Sequence, residues 1–537
     1  MKEEILQHVS SLDQAQRVGV ADDRHGQFHR AFTPRQIHVI ALATSMGSGI
    51  FISIGQALSN GGPGNMLVAY ALVCSCAWAA LYTLCEMVIA FPVSGNFIDY
   101  ADRWVDKSLA FGAGLSEWLS YTAITASEAV FFNIIIQYWA NYRLPEAVSL
   151  TIVLVLMAVI FVCPTKVYAV FEYLSSIVKV LLFIFLVVIC VAIIGGAGKT
   201  GYVHHGSTWT DQPPFKNGFS GFVKCATFAV WAIGDQIPVA TMGGEAQNVR
   251  YSMAHAAKLA PIRISIVFLV SISVISTLVP SNDDRLLGGS GVTASPYVIA
   301  MKDAGIRVAP HITNAAIIVS IVGSAAEALY TASRMLRTMA HQALIPEIFA
   351  NVDSRGRPTM ALLITGATLI LLTYINLSSG GVEALNWLLD LTTTGFLINW
   401  MIIACTSFRF HRALKLQDDP LLKEPYAWRS FLWPLAPAWL FLVSLFLLAS
   451  CFVIGAKPPG GLKTSLAVSV LQYTIGIVVI VSLTVGYKLI FRTSSRQLRK
   501  ADHVTGRHII TPDEISELER YYSMSRWRRF LSYVQVW

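Results

Sequence analysis

Long, unbroken runs of apolar residues constrain this chain more than any other feature of its sequence. Many of them are about 20 residues long, the length that a helix needs to cross a hydrocarbon layer of roughly 30 Å. Only 13% of the 537 residues are charged and 54% are hydrophobic, whereas soluble globular domains carry about 25% charged residues. This composition excludes a soluble enzyme, a nucleic-acid-binding protein and a disordered scaffold. It predicts an all-α integral membrane protein.

The apolar runs divide into twelve predicted membrane spans. Their ranges are 36–58, 66–91, 109–138, 147–166, 170–196, 219–242, 260–281, 310–340, 359–377, 383–407, 433–455 and 468–490. Only a turn at 163–166 separates the fourth span from the fifth, but both runs are long enough to cross separately. The predicted domains are an N-terminal tail (1–35), a twelve-helix membrane domain (36–490) and a C-terminal tail (491–537).

The distribution of basic residues sets the orientation of the spans. With the N-terminus in the cytoplasm, 30 of the 40 Lys and Arg residues lie on or near the inner side and 8 on the outer side. The positive-inside rule requires such an excess. An even number of spans then places both termini in the cytoplasm. The net charge of +8 is therefore explained by membrane orientation, without a nucleic-acid partner.

The C-terminal tail is predicted to contain an amphipathic helix. Thr511 stands as an N-cap residue and Pro512 follows at the first helical position. The predicted apolar face consists of Ile515, Leu518, Tyr522, Trp527, Phe530, Leu531 and Val534. Two placements fit this face: on lipids of the inner leaflet, or against the protein's own inner loops.

The cysteine pattern predicts neither disulfides nor metal sites. All eight cysteines lie within apolar segments, where cysteine behaves as a small buried apolar residue. No HExxH, GxSxG or P-loop pattern is present, so the sequence does not indicate an enzyme.

The first span contains a glycine-rich interruption near its middle. Gly47 and Gly49 alternate with Ser45 and Ser48, a composition that favours an unwound loop over a continuous helix. Such a break frees amide N–H groups at the start of the second half-helix, and these suit a substrate carboxylate. The alternative is close helix packing through small residues.

The sixth span contains a second interruption. Gly234, Asp235, Gln236 and Pro238 follow one another closely between two apolar halves. Breaks in spans one and six, five spans apart, are what an inverted repeat of five helices each would give. The paired breaks predict a transport site in the middle of the membrane.

Four ionisable residues lie inside predicted spans, where charge is costly and usually functional. They are Glu128, Lys179, Asp235 and Glu327. Lys179 has two interpretations: a role in charge coupling, or a buried pair with Glu128 or Glu172. Closer to the span ends, Glu86 is expected in a salt bridge or a cap. Lys224 and Glu383 can reach the membrane surface there, and Asp390 is ambiguous.

A series of ordered motifs runs between about residues 30 and 500: Ser45 to Phe51, Gly62-Pro63 to Met87, Phe91 to Gly95, Phe97, Tyr100-Ala101, Val105-Asp106, Glu128 with Ile136 to Trp139, Ser175 to Val180, Gly244 to Asn248, Leu329 to Arg334, Asn386 to Leu389, Ile398 to Trp400, and Phe408 to Ala413. Together these motifs resemble the fungal amino acid permeases of the yeast amino acid transporter family, within the amino acid–polyamine–organocation superfamily.

The resemblance implies a leucine-transporter-like fold, with ten helices in a 5+5 inverted repeat, broken helices 1 and 6, and two further helices. It also implies a secondary active transporter that imports amino acids by proton symport and alternating access. Lys179 would occupy the place of sodium in related carriers, so the coupling ion would be a proton, with Glu128 as its coupling partner. The expected substrate-binding residues are Ser45, Gly47, Ser48, Gly49, Trp231, Gly234, Asp235, Gln236 and Glu327.

Several positions depart from the family pattern. Asp235 stands in an altered sixth-helix string, and Glu327 replaces a small polar residue of the eighth helix. These extra acids favour a cationic or amine-bearing cargo, including polyamines or 4-aminobutyrate. A non-transporting amino acid sensor is the alternative from another class, although the tails are short for recruiting partners. The expected partners are the amino acid substrate and membrane lipids, and the expected location is the plasma membrane, with the vacuolar membrane as the alternative.

Overall fold

A computed structural model describes residues 43, 46–92, 96–141, 143–235, 249–287, 295–377, 381–424, 426–459, 461–462, 464–508, 510 and 512–529. The predicted N-terminal tail, Ser45, Gln236 and the far half of the sixth predicted span lie outside these described residues.

The described residues form helices and no strand. The helices are α1 (Gly49–Ala90), α2 (Asn96–Trp104), α3 (Lys107–Ala140), α4 (Glu146–Val162), α5 (Thr165–Ile194), α6 (Gly218–Ile233), α7 (Val249–Leu278), α8 (Ala309–His341), α9 (Thr359–Ile375), α10 (Gly381–Leu416), α11 (Leu435–Ala456), α12 (Leu466–Phe491) and α13 (Pro512–Ser523). Short helices at Ser207–Thr210 and Pro296–Asp303 lie in two of the connections.

The long helices establish a membrane protein. Eight of them are long and apolar enough to cross a membrane, and α4, α6 and α9 are shorter apolar helices. Each predicted span overlaps one of these eleven, with α1 covering parts of the first two. The number of crossings itself stays a prediction.

The predicted seventh span starts at residue 260, whereas the helix that contains it, α7, already begins at Val249. The polar residues Arg250, His255 and Lys258 suggested a loop, but they extend the helix beyond its apolar part. Arg250 donates a hydrogen bond through Nε to the carbonyl of Tyr426, 2.6 Å away.

A sharp turn at Gly62 divides α1 into two arms, 49–61 and 63–90. Gly62 has φ +75° and ψ 173°, a conformation that side chains with a Cβ rarely adopt. The connection leading to α6 is pressed against this turn: Gly64 N donates to the carbonyl of Pro214 (2.8 Å), and Lys216 N donates to that of Gly61 (2.9 Å). The turn therefore holds the end of α1's first arm next to the start of α6.

The helix packing follows the predicted five-helix repeat. α3 packs against α8 and α10, while α8 packs against α3 and α5. A shift of five positions between the two repeats exchanges α3 with α8 and α5 with α10, so it converts the α3–α8 pair into itself and the α5–α8 pair into α10–α3. The contacts of α1 with α6 and α7, and of α4 with α9, fit the same shift. Such a relation is expected for two repeats of one topology.

The segment 492–508 ties together helix ends that are predicted to lie on the cytoplasmic side. Arg496 N donates to the carbonyl of Val105, and His508 N to that of Ala90, each at 2.9 Å. The N-cap residue of α3, Asp106, accepts hydrogen bonds from Ser108 N (2.8 Å) and Lys488 Nζ (2.9 Å). Burial alone would raise the pKa of the Asp106 carboxyl, but these hydrogen bonds outweigh it and lower that pKa to about 2.

The C-terminal helix α13 packs on the protein through one face. Leu518 is buried, and the Tyr521 ring lies 5.5 Å from that of Tyr251 and 5.1 Å from that of His255. Tyr522, which the pattern assigned to the apolar face, is 48% exposed. The register of the buried face is thus shifted by one residue there, because Tyr521 contacts α7.

Candidate substrate site

The first helix is interrupted where the glycine-rich segment predicted it. Ala43 is helical, Met46 and Gly47 are not, and helical structure resumes from Ser48. The carbonyl freed at Met46 accepts a hydrogen bond from Ser320 Oγ of α8 at 2.8 Å. A side chain of α8 thus satisfies part of the interrupted backbone, as a membrane interior requires.

Both glycines of this interruption allow close approach of neighbouring helices. A Cβ atom on Gly49 would lie 2.7 Å from Cβ of Ala232 in α6. One on Gly47 would lie 2.7 Å from Oγ of Ser324 and 3.2 Å from Oε1 of Glu128. The first and sixth helices therefore meet at backbone distance beside the break. The interruption of the first helix and the close packing of helices through small residues, which the sequence offered as alternatives, therefore occur at the same place.

The sixth helix ends at Ile233, and the next two residues are not helical. Asp235 turns toward α3, where the Tyr121 hydroxyl donates to its Oδ1 at 2.5 Å. Gly234 packs against α10: a Cβ there would lie 2.7 Å from Cδ2 of Phe396. The carboxyl-terminal end of α6 is thus held between α3 and α10.

A cavity lies between the two interruptions. Its volume is about 50 Å³, which is room for a few ordered water molecules or a small polar group. It is lined by Gly47, Gly49, Ile124, Glu128, Trp231, Ala232, Asp235, Ser324, Glu327 and Ala328. Six of the predicted site residues are therefore brought together around one cavity.

The cavity lining is acidic. Its ten residues, all in the described part of the chain, include three carboxyl side chains and no Lys, Arg or His. Ser48 Oγ donates to Oε1 of Glu128 at 2.7 Å, which connects the start of α1 to α3. The Trp231 ring lies 5.7 Å from the Phe131 ring and forms an apolar wall.

Within the described part of the chain, the other predicted residues, Ser48, Gly234 and Lys179, do not line the cavity. Ser48 contacts it through Glu128, and Gly234 faces Phe396. Lys179 is fully buried in α5, with Nζ 3.8 Å from Oε1 of Glu172. Of its two predicted partners, Glu172 is the one at ion-pair distance. A Cβ on Gly323 would lie 3.3 Å from Cε of Lys179, so the lysine packs against α8.

Residues nearer the membrane surfaces are explained by local contacts. Glu86 accepts hydrogen bonds from Ser430 N (2.9 Å) and pairs with Nε2 of His411 (2.8 Å), as its position near a span end predicted. Lys224 lies 3.9 Å from Oδ1 of Asp390, so α6 and α10 share a buried ion pair. The sequence alone left Asp390 ambiguous.

Sequence reasoning missed Glu117 and Tyr121. Glu117 is fully buried in α3, where its Oε2 accepts a hydrogen bond from Nδ2 of Asn399 in α10. It precedes Glu128 by eleven residues, three helical turns, so both face the same side of α3. That spacing could have indicated from the sequence that Glu117 shares a helix face with Glu128. The contact of Tyr121 with Asp235 depends on how α3 and α6 pack, so no sequence pattern indicated it.

Comparisons with known proteins identify the family. A family model described as amino acid permease matches residues 36–500. The chain is 31% identical over 470 residues to an amino-acid permease, GAP3, of Candida albicans, covering 88% of this chain and 78% of the relative. It is 31% identical over 529 residues to the high-affinity glutamine permease of Saccharomyces cerevisiae, covering 95% and 79%.

Among solved structures, the chain is similar to Mhp1, a nucleobase-cation-symport-1 family transporter, with 14% identity and a TM-score of 0.47. That match covers 88% of this chain and 95% of Mhp1.

The chain therefore belongs to the amino acid permease family. It is a multi-pass membrane protein of a family of small-molecule transporters, as the motifs predicted.

Proposed function

We propose that the protein imports amino acids across the plasma membrane by proton symport through alternating access, with both termini in the cytoplasm and lipids around the apolar helices. The observation that carries this proposal is the acidic cavity between two interrupted helices.

The two helix ends at the cavity carry opposite partial charges. The start of a helix carries a partial positive charge and its end a partial negative charge. Here the start of α1 at Gly49 and the end of α6 at Ile233 both lie beside the cavity. An amino acid placed between them would direct its carboxylate to the first end and its ammonium group to the second. Asp235 adds a carboxyl group on the ammonium side. A zwitterion matches this arrangement in both charge and direction.

Coupling to protons is supported by carboxyl groups inside the membrane. Glu128 and Asp235 both line the cavity, so a proton bound to either would change the charge that the cargo meets. A neutral carboxylic acid crosses a hydrocarbon layer at far lower cost than a carboxylate. The Lys179 ammonium group lies behind α8, 3.8 Å from Glu172, and a buried cation at this position suits the place of a sodium ion.

The three acids in the lining favour a cationic or amine-bearing cargo, including basic amino acids, 4-aminobutyrate and polyamines. One carboxyl group suffices to pair with an α-ammonium group, so the others are available to a second cationic centre or to protons.

Uptake into proteoliposomes tests the proposal. We expect labelled amino acids to accumulate when the outside is made acidic, and cationic competitors to inhibit better than anionic ones. Glu128→Gln should abolish accumulation, while Glu383→Gln, which changes an exposed carboxylate at the start of α10, should not. Cargo binding without net uptake would identify a sensor instead. Uptake that is independent of pH would refute proton symport.

A further inference from the structure

Glu117 is a buried acid that the proposed function leaves without a role. It lies in α3, is fully buried, and does not line the cavity. Its Oε2 accepts a hydrogen bond from Nδ2 of Asn399, and its Oε1 has no hydrogen-bond partner among the described residues. A carboxyl group in such surroundings is expensive to keep charged.

The position of Glu117 connects it with the cavity. With 100° per residue, Glu117, Tyr121 and Glu128 fall within about 40° of one another on α3. Glu117 lies about 16 Å from Glu128 along the helix, toward the end that is predicted to be cytoplasmic. Between them, the Tyr121 hydroxyl donates to Asp235 of the cavity. One stripe of α3 thus leads from the cavity toward the inner side.

The charged surroundings of Glu117 are simple. Among the described residues, the acid that interacts with Glu117 is Asp235, at the end of α6. Tyr121 on the same helix interacts with Glu117, Asp235 and Glu327. From α10, Glu117 contacts the neutral amide of Asn399. The described parts of the other helices packed on α3 bring no cation to Glu117.

Several polar atoms beside Glu117 lack partners within the described residues. They are Oγ of Ser116, Oγ of Ser120 and Oδ1 of Asn399. The two serines face α10, since a Cβ on Gly395 would lie 2.8 Å from Oγ of Ser120 and 4.0 Å from Oγ of Ser116. Buried polar atoms in proteins are normally hydrogen-bonded, often to ordered water. The α3–α10 interface therefore suits internal water that could conduct protons.

The amide of Asn399 fits both protonation states of Glu117. Its Nδ2 donates to Oε2 of Glu117, a contact available to a carboxylate and to a carboxylic acid alike. Its Oδ1 has no partner among the described residues, so it can accept a hydrogen bond from protonated Oε1. A fixed lysine or arginine in this place would hold Glu117 permanently ionised, whereas an amide does not.

We propose that Glu117 is a proton-accepting residue of the transport cycle, placed between the cavity and the cytoplasm. This inference rests on the proposed proton symport. The Glu117 carboxylate takes a proton that leaves the cavity acids, and becomes a carboxylic acid bonded to both ends of the Asn399 amide. When the inner side opens, Oε1 releases the proton to water and the carboxylate returns. One proton enters and one leaves in each cycle.

Glu117→Gln tests the inference, because glutamine imitates the protonated state in size and hydrogen bonding. In proteoliposomes we expect the variant to keep substrate counterflow, which needs no net proton movement, and to lose accumulation driven by a pH gradient. For a cargo coupled to one proton, a gradient of about one pH unit supports roughly tenfold accumulation. The variant should fall to no accumulation. Glu383→Gln is the matched control.

The remaining outcomes distinguish a failure of the proposed symport from a failure of the inference about Glu117. If wild type itself shows no pH-driven accumulation, the proposed symport fails, and the role of Glu117 with it. If wild type and Glu117→Gln accumulate cargo equally, the symport stands and the inference about Glu117 is overturned. Loss of counterflow in both Glu117→Gln and Glu117→Asp would also overturn it, because Glu117 would then serve folding or binding.

Discussion

Gly49 allows the sharpest test of the contact between the first and sixth helices. In Gly49→Ala, the added Cβ would lie 2.7 Å from Cβ and 3.0 Å from Cα of Ala232, and 3.3 Å from Cζ3 of Trp231. Carbon atoms at optimal contact are about 3.5–4.0 Å apart. Since Ala232 has no rotatable side chain, only a shift of α1 or α6 by roughly 0.8 Å removes the overlap.

The size of the effect follows from two opposing contributions. Overpacking of a dense interior costs about 1–3 kcal/mol, and replacing glycine by alanine in a helix contributes up to about 1 kcal/mol in the other direction. We expect net destabilisation of about 1–2 kcal/mol, and a separation of the two helices beside the cavity.

The assay is thermal unfolding in detergent, with Gly486→Ala as the matched control. A Cβ on Gly486, in α12, has no atom within 4 Å, so this variant should unfold at the same temperature as wild type or higher. We expect the midpoint of Gly49→Ala to fall by at least about 2 °C. Equal midpoints for the two variants would refute the packing argument.

Three further predictions concern contacts away from the cavity. Lys224→Met leaves Asp390 buried without its cation and should cost about 3–5 kcal/mol, whereas the double variant with Asp390→Leu should recover most of the thermal midpoint; a double variant as unstable as the single one would contradict this. Asp106→Asn should lower stability by about 2 kcal/mol at pH 7. Because the pKa of Asp106 is lowered to about 2 from its ordinary 3.8, wild type loses this advantage as the pH falls from about 4 to about 2, and midpoints measured from pH 7 downward should converge. Leu518→Ser should detach α13 and speed cleavage of the C-terminal tail by protease, while Tyr522→Ser, at an exposed position, should not.

Much of the fold could be predicted because hydrophobic length and helix-breaking residues are local properties. The interruption at Gly47 and the end of α6 before Asp235 were both readable from the sequence. The start of α7 was not, since polar residues after Val249 continue a helix whose inner end contacts Tyr426. A hydropathy pattern indicates which residues can lie in the membrane, but it does not indicate where a helix that extends beyond the membrane begins or ends.

The cavity could be predicted only in part. Glu128 and Asp235 were found as charges inside apolar runs, but their partners Ser48 and Tyr121 belong to other helices. Pairing across helices depends on rotation and register, which one sequence does not specify. For the same reason, the choice of Glu172 as the partner of Lys179 required the structure.

The turn at Gly62 has a mechanical consequence for the cycle. Carbonyls of Pro213 and Pro214 would lie 2.8 Å from a Cβ on that glycine, and hydrogen bonds fasten the same connection to both sides of the turn. Two interrupted helices that share an anchor at the ends predicted to face outward are not expected to tilt independently. We therefore expect the outer halves of the first and sixth helices to move as a single lever, so that access from outside opens or closes in one step.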